Sequence, residues 1–297
     1  MSSKKILLIA PTGQVGWELH RCVQPLGQVL AVGRNKTQFF IDLADPDSIR
    51  SVIREIKPDI ILNAAAYTAV DKAEKESELA YTINGTAPSI LAEESLRLQS
   101  LLVHYSTDYV FDGTNDKPYT EADSVNPMGV YGASKLAGEQ AIAAIGGKYL
   151  ILRTAWVYGL RGSNFLLTMQ RLAKERKELK VVADQIGSPT WSRIIATATA
   201  HILSQLNSPL YPINIEELSG IYNLTCNGQT NWYEFAKSII AQYNNQPNIL
   251  PIPTADYPAP AKRPMYSVLS NEKITKTFGI ELPDWEKCLK LCLASSN

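Results

Sequence analysis

Two residues of this chain have the types and spacing of an acid–base pair. Tyr131 and Lys135 lie four positions apart in Tyr131-Gly-Ala-Ser-Lys135, so a helix through this segment places both side chains on one face. A free phenol has a pKa of about 10, and a neighbouring ammonium lowers it by stabilising the phenolate. Such a phenol can protonate a carbonyl oxygen while hydride reaches the carbon. The pair therefore predicts Tyr131 and Lys135 as catalytic residues of a carbonyl reductase.

A polar segment upstream supplies a partner for the carbonyl oxygen. Ser106-Thr107-Asp108 comes just after the apolar run Leu101–His104, where a buried strand is expected to end. Ligands of open α/β sheets bind outside the carboxyl ends of the strands. Tyr-x-x-x-Lys alone is common on ordinary helix faces, and it is the combination with this segment that indicates chemistry. A hydroxyl of the Ser106–Thr107 pair is therefore predicted to donate a hydrogen bond to the substrate carbonyl.

A glycine-containing turn predicts the source of the hydride. The segment Ala10-Pro-Thr-Gly13-Gln14-Val15-Gly16 follows the first expected strand and opens the first helix. Backbone N–H groups at a helix N-terminus bind a pyrophosphate, and glycine lets the backbone approach it closely. Ala10 stands where the first of the usual three glycines would be, although alanine disfavours positive φ. The alternative is a plain tight turn. The residues predicted to bind a nicotinamide dinucleotide here are Gly13, Gln14, Val15 and Gly16.

Further cofactor contacts are expected at the ends of the next strands. Arg34 follows the second strand, where NAD-specific sheets usually carry an acidic residue, and an arginine suits a 2′-phosphate. This favours NADPH, with NADH as the other donor, unless Arg34 is simply a solvated loop residue. Small residues after the third strand would let the cofactor lie across the sheet edge. The remaining predicted contacts are Asp42, Leu43, Ala64, Ala65, Ala66 and Tyr67.

The elements that position these residues alternate along the first half of the chain. Short apolar runs predict buried parallel strands at Ile6–Ala10, Val29–Val32, Ile60–Leu62, Leu101–His104 and Tyr149–Leu152. Helical periodicity predicts helices at Gln14–Val23, Asp47–Ile56, Glu76–Leu96 and Tyr131–Ile145. This alternation predicts an α/β fold with a Rossmann-type, doubly wound parallel sheet.

The second half predicts a smaller C-terminal substrate-binding region. We expect a dinucleotide-binding domain over 1–160 and a mainly substrate-binding region over 161–297, with segments near 179–206 and 220–225 returning to the main sheet. Helices are predicted at Phe165–Lys177, Ile194–Leu206, Trp232–Tyr243 and Asp284–Leu293, and strands at Leu179–Val182 and Ile221–Leu224. The proline-rich stretch Pro247–Pro264 predicts a structured connection that is not helical.

Composition excludes several function classes. The 297 residues include 29 basic and 29 acidic side chains, so no bulk charge recruits nucleic acid or an anionic membrane. Four cysteines form no Cys-x-x-Cys pair, and three scattered histidines have no metal-ligand spacing. No apolar stretch approaches the length of a membrane span. These features favour a reduced, cytoplasmic enzyme.

Seven segments spread over nearly the whole chain carry a resemblance to a known family. They are Thr12–Leu19, Asn63–Glu74, Ser106–Gly113, Tyr131–Glu139, Arg153–Gly159, Asp184–Thr190 and Arg263–Pro264. With them the chain resembles the extended short-chain dehydrogenases/reductases and, within these, the dTDP-4-dehydrorhamnose reductase family. The second and fifth segments are specific to that family.

The resemblance implies a reaction and residue roles. NADPH or NADH would deliver hydride to C4 of dTDP-4-dehydro-β-L-rhamnose, giving dTDP-β-L-rhamnose. Tyr131 would protonate the developing alkoxide, Thr107 would hold the 4-oxygen, and Lys135 would orient the nicotinamide ribose. Asp108 and Trp156 match substrate-contacting positions.

The resemblance also bears on metal binding. Some members of the family dimerise around a magnesium ion held by glutamates, and Glu18 matches one such position. Arg193 stands where another glutamate would be, and a cation there opposes a divalent metal. We therefore expect no bound metal, and a monomer or weak homodimer.

Two other functions stay open at the level of sequence. One is a nucleotide-sugar epimerase or dehydratase on the same scaffold, which would need acid–base groups beyond Asp108 beside Thr107. The other is a non-catalytic, NADP-binding regulatory subunit, which the intact Thr107, Tyr131 and Lys135 argue against. Net consumption of NADPH separates a reductase from both.

Overall fold

A seven-stranded parallel sheet forms the centre of the protein. Its strand order is β11-β6-β5-β4-β1-β2-β3, with β1 at Lys5–Ile9, β2 at Gln28–Gly33, β3 at Phe39–Phe40, β4 at Ile60–Asn63, β5 at Leu101–Thr107, β6 at Lys148–Thr154 and β11 at Gly220–Asn223. The structure is a computed structural model that describes residues 3–34, 39–208, 214–244 and 246–295. The predicted doubly wound α/β class is confirmed.

Helices and short strands complete the fold. The helices are α1 Gln14–Cys22, α2 Pro46–Ile56, α3 Val70–Ala73, α4 Ser77–Tyr81, α5 Ala87–Leu98, α6 Val130–Ile145, α7 Phe165–Glu175, α8 Ser192–Leu206, α9 Ile215–Leu218, α10 Trp232–Ile240, α11 Glu272–Phe278 and α12 Trp285–Ala294. The remaining strands are β7 Val157–Tyr158, β8 Glu178–Val182, β9 Ile186–Gly187, β10 Thr190–Trp191, β12 Thr230–Asn231 and β13 Asn248–Ile252.

Helices bury both faces of the sheet, which explains why its strands have continuous apolar runs. In β1, Ile6 and Leu8 face a core shared with α1, α8 and α11, whereas Leu7 and Ile9 face a core shared with α2, α5 and α6. Alternate side chains of a strand point to opposite faces, so both sets must be apolar. A third apolar cluster lies among β8, α7, α10 and α12 in the second half.

Two elements differ from the sequence prediction. The helix expected over Glu76–Leu96 contains a π-helical turn at Thr82–Thr86 between α4 and α5. Pro88 follows this turn and has no N–H to continue regular helical bonding. The strand at 178–182 does not return to the main sheet but pairs with β13, whereas α8 packs on α1 and β11 does join the sheet beside β6. The proline-rich stretch thus contributes the strand β13. Pro251 is tolerated there because both strands of a two-stranded sheet are edge strands.

Helix α6 is held against the sheet by a buried ion pair. Arg153 of β6 donates to both carboxylate oxygens of Glu139, at 2.9 and 2.7 Å, and both side chains are almost fully buried. Gly138 allows close approach on another side of α6, since a Cβ there would lie 2.2 Å from the Asn84 carbonyl oxygen. These contacts fix the position of the helix that carries Tyr131 and Lys135.

No helix within the described ranges is long and apolar enough to cross a membrane.

Candidate active site

The predicted catalytic residues meet at the carboxyl end of β5. Thr107 is the last residue of β5, and Tyr131 lies in the first turn of α6, which packs against that strand. Gly132 lets the two segments approach, since a Cβ there would lie 2.2 Å from the Tyr109 carbonyl oxygen. The strand end and the helix start thereby bring the hydroxyl and the phenol together.

The Tyr131 phenol lies near the Thr107 side chain, which influences its pKa. Burial raises the pKa of Tyr131 to about 12, the Thr107 hydroxyl opposes this rise, and the charge of Asp108 adds to it. The ring edge of Tyr109 packs on the ring of Tyr131 at a centroid distance of 5.5 Å. The phenol therefore keeps its proton at neutral pH, as a proton donor must.

Asp108 is a buried carboxyl beside the two hydroxyls. Its Oδ1 accepts from the Thr107 hydroxyl at 3.0 Å, and its side chain is 2% exposed. Burial raises the pKa of Asp108 to about 6, although bonds from Ser267 and Thr107 oppose the rise. Because Asp108 accepts the hydrogen bond from Thr107, it orients the Thr107 hydroxyl.

Lys135 does not have the partners that the spacing argument predicted. Its Nζ donates to the Tyr105 carbonyl oxygen at 2.6 Å and lies 3.1 Å from Nε2 of His104, both on β5. The charge of Lys135 is not among the influences on the pKa of Tyr131, which is raised instead of lowered. The predicted acidification of the phenol is therefore wrong for this structure, because the ammonium is directed toward the strand.

The turn after β1 is strained at Ala10. This residue has φ of +61°, in the left-handed region that costs a non-glycine residue about 1 kcal/mol. Its N–H donates to the Val32 carbonyl oxygen at 3.0 Å, and its own carbonyl oxygen accepts from the Gly13 N–H at 3.2 Å. These bonds hold the glycine-type conformation despite the alanine side chain.

Gly16 is the position of closest approach in that turn. A Cβ on Gly16 would lie 2.0 Å from the Ala10 carbonyl oxygen, whereas one on Gly13 would lie 3.6 Å away. Helix α1, which opens at Gln14 and Val15, has no side-chain cap and no acidic residue in its first turn. The positive end of the helix is thus suited to an anion such as a pyrophosphate.

The residues expected near the adenine, Arg34, Asp42 and Leu43, lie between the end of β2 and the start of α2. Arg34 is exposed directly after β2, and the following 35–38 lie outside the described residues. Asp42 accepts the Ala44 N–H at 3.0 Å and so shapes the turn before α2. Leu43 is 8% exposed and packs in the core beside α2, so any cofactor contact would use its backbone or side-chain edge.

The small residues after β4 form a half-buried edge. Ala64, Ala65, Ala66 and Tyr67 are all intermediate in exposure. Asn84, on the π-helical turn, accepts the Tyr67 N–H at 2.8 Å and donates to the Tyr67 carbonyl oxygen at 3.0 Å. This side chain pins the segment, and the sequence pattern did not single it out. A π-turn interrupting a helix often marks a functional site.

Trp156 lies beyond β6 in a strained conformation. Its φ is +45°, and its ring stacks on Trp232 with centroids 3.5 Å apart and planes 6° apart. A Cβ on Gly187 would lie 2.4 Å from the Trp156 ring, so only glycine fits there. The expected contact with a sugar would use the part of the ring left open by these two neighbours.

Comparison with known proteins agrees with this geometry. The family described as the RmlD substrate binding domain matches residues 4–297. A curated dTDP-4-dehydrorhamnose reductase from Burkholderia thailandensis is 49% identical over 297 residues, covering 97% of this chain and 98% of the relative. The corresponding protein of Escherichia coli K12 is 43% identical, covering 97% and 96%. The chain belongs to the dTDP-4-dehydrorhamnose reductase family.

A solved structure supports the same assignment. The dTDP-4-dehydrorhamnose reductase from Bacillus anthracis, crystallised in complex with NADP, is 36% identical and superimposes with a TM-score of 0.89 over 99% of this chain and 100% of that one. The fold described above is therefore that of the dTDP-4-dehydrorhamnose reductase family.

The position that resembles a magnesium ligand in this family is paired with a cation. Nε of Arg193 lies 3.1 Å from Oε2 of Glu18, whose side chain is 12% exposed, and the guanidinium also covers the Trp191 ring. Among the described residues, no group of three or more His, Cys, Asp or Glu side chains is arranged to hold a metal ion.

Besides Asn84, three functional candidates were missed from sequence. Trp232 supports Trp156, Arg161 lies over the Trp17 ring beside the start of α1, and His104 contacts Lys135. Only His104 had a usable signal, because a polar residue inside an otherwise apolar buried strand calls for a partner.

We expect Gly16→Ala to weaken dinucleotide binding at least tenfold, because the new methyl cannot fit against the Ala10 carbonyl and the turn must open. Fluorescence titration with NADPH measures the effect. Gly85→Ala is the matched control, since Gly85 lies outside the turn and its methyl meets only an ordinary contact at 3.5 Å with the Ala137 side chain, and it should change affinity by less than about threefold. Equal losses in the two variants would contradict this account of the turn.

Proposed function

We propose that this protein reduces the C4 ketone of dTDP-4-dehydro-β-L-rhamnose to dTDP-β-L-rhamnose with NADPH. The observation that carries the proposal is the position of Thr107 at the carboxyl end of β5, against which α6 packs with Tyr131 in its first turn, in a chain of the dTDP-4-dehydrorhamnose reductase family. The protein is accordingly an oxidoreductase of nucleotide-sugar biosynthesis.

The residues divide the work of proton transfer and orientation. Tyr131 donates its proton to the oxygen as negative charge develops there. The Thr107 hydroxyl has a single proton, which Asp108 accepts at 3.0 Å, so Thr107 holds the substrate oxygen by turning that proton from Asp108 toward it. Proton donation by a positioned group contributes typically 10²–10⁴-fold to rate. When bound, NADPH supplies the hydride.

The cofactor fits the groups that are present. Gly13, Gln14, Val15 and Gly16 would hold the pyrophosphate at the uncapped start of α1, and Lys135 would reach the nicotinamide ribose after leaving its contacts on β5. The half-buried edge of Ala64, Ala65, Ala66 and Tyr67 would lie beside it, and Asp42 and Leu43 would approach the adenine. Arg34 would meet the 2′-phosphate, while NADH remains an alternative donor.

The sugar would contact Trp156 as well as the catalytic residues. Asp184 shapes the same region, because its carboxylate accepts the Thr254 N–H at 2.9 Å and the Thr254 hydroxyl at 2.6 Å. The Asp184–Thr190 segment thereby joins the proline-rich stretch to the site. We propose that 1–160 serves mainly the cofactor and 161–297 mainly the nucleotide sugar.

Assembly and location are also proposals. The pairing of Arg193 with Glu18 supports a monomer or weak homodimer that does not depend on magnesium, and four free thiols support a cytoplasmic location.

Light scattering of the purified protein should give the same mass with and without EDTA. Stoichiometric magnesium in elemental analysis, or dissociation on chelation, would overturn this.

We expect Tyr131→Phe to lower kcat by about 10²–10⁴-fold while NADPH affinity stays nearly unchanged, because only the proton donor is lost. NADPH oxidation, followed by absorbance with dTDP-4-dehydrorhamnose made in situ, measures turnover. Tyr149→Phe is the control, since Tyr149 lies near the opposite end of β6 from the site. Undiminished reduction by Tyr131→Phe would refute the role of the phenol.

We expect Arg34→Ala to lower kcat/KM for NADPH about tenfold and to leave that for NADH nearly unchanged, because only the 2′-phosphate loses a partner. Steady-state assays with both donors measure the ratio. A wild-type protein that prefers NADH would show instead that Arg34 is a solvated loop residue.

A further inference from the structure

A line of buried polar groups runs from the end of β4 to Lys135. Asn63 and His104 lie directly opposite each other in the β4–β5 register, and each of the three residues is only 1% exposed. The amide nitrogen of Asn63 lies 3.0 Å from Nδ1 of His104, and Nε2 of His104 lies 3.1 Å from Nζ of Lys135. Because these groups are buried away from bulk water, each hydrogen-bond donor among them must face an acceptor.

The orientation of the Asn63 amide is fixed at its other end. The backbone N–H of Ala65 points at Oδ1 of Asn63, at 3.3 Å. An N–H can be accepted only by the amide oxygen, so the reversed amide would place two donors against each other. The NH₂ group of Asn63 is therefore the group that faces His104.

The amide in turn fixes the proton of the imidazole. Because Asn63 donates to Nδ1, that nitrogen must carry a lone pair, and the neutral ring bears its proton on Nε2. Burial, together with the charge of Lys135, holds the pKa of His104 well below its usual value, so the ring is neutral. His104 thus presents an N–H to Lys135.

An N–H facing Nζ discriminates between the two forms of the lysine. An ammonium has only donors, whereas an uncharged amine has a lone pair that accepts the Nε2–H. The Tyr105 carbonyl oxygen accepts from either form. Glu139, one turn further along α6, is the charged group that raises the pKa of Lys135, and it is itself paired with Arg153 of β6.

We propose that His104 is a positioning residue for Lys135. The Nε2–H of His104, oriented by Asn63, favours the uncharged amine of Lys135 at its position beside β5. It disfavours the ammonium there, so the charged form of Lys135 moves toward the active site. His104 touches no reacting atom and acts only through Lys135. The catalytic meaning of this effect rests on the proposed function, whereas the tautomer of His104 does not.

The proposed contact between His104 and Lys135 predicts how turnover depends on pH. Burial lowers the pKa of Lys135 to about 8, with the charge of Glu139 opposing, and the His104 N–H lowers it further by stabilising the amine. If the charged lysine is the active form, turnover falls as pH rises through that pKa. Removing the N–H raises the pKa of Lys135 and moves this alkaline limb upward by about one pH unit.

The first experiment reads the tautomer without requiring turnover. The chain has three histidines, His20, His104 and His201, so ¹⁵N-histidine labelling gives few ring signals, which His20→Gln and His201→Gln assign by subtraction. We expect His104 to be neutral, with its proton on Nε2, from about pH 6 to pH 9. A proton on Nδ1, or titration within that range, would overturn the inference.

The second experiment tests the consequence for Lys135. In His104→Phe an aromatic side chain is kept but the Nε2–H is lost, so the alkaline limb of kcat should rise by about one pH unit. His201→Phe is the control, because His201 is exposed on α8, and its profile should match the wild type.

An unmoved or lowered limb in His104→Phe would refute the inference. If Tyr131→Phe has lost turnover in the same assay, that failure leaves the proposed function intact. If His104→Phe does not fold, the wild-type tautomer decides the question by itself.

Discussion

The buried pair of Arg153 and Glu139 is the contact on which the active site depends. It ties α6 to β6 four residues beyond Lys135, and removing one partner of such a pair costs about 3–5 kcal/mol by stranding the other charge. Because Tyr131 and Lys135 lie on α6 while Thr107 and His104 lie on β5, any shift of the helix separates both pairs at once. The pair thus sets, from outside the site, the geometry of the proton donation proposed for Tyr131.

Local strain is concentrated where the ligands are expected. Ala10 and Trp156 have positive φ, the first in the turn proposed to bind the cofactor and the second beside the proposed substrate site. Such conformations persist only where surrounding bonds and packing enforce them, and they cluster at functional positions. At Ala10 the enforcement comes from bonds to neighbouring backbone, and at Trp156 it comes from stacking on Trp232 and from the bare backbone of Gly187.

The sequence predicted the sheet and the meeting of Thr107 with Tyr131, because both follow from short-range periodicity and from the rule that strand ends share one edge. It failed for Lys135, since helical spacing gives the face of a side chain but not the partner that its flexible end selects. It also failed for the strand at 178–182, because an apolar run shows burial without showing which strand lies beside it. His104 could have been paired with Asn63 only once the strand register was known.

The stacked indoles give the protein a built-in optical reporter. Two tryptophan rings with centroids 3.5 Å apart and nearly parallel planes are close enough for their electronic transitions to couple. Trp156 follows the main sheet and Trp232 opens α10 of the second half, so their coupling reads the distance between these two parts of the chain. Near-ultraviolet circular dichroism can therefore follow any change in the distance between these two rings with no added label.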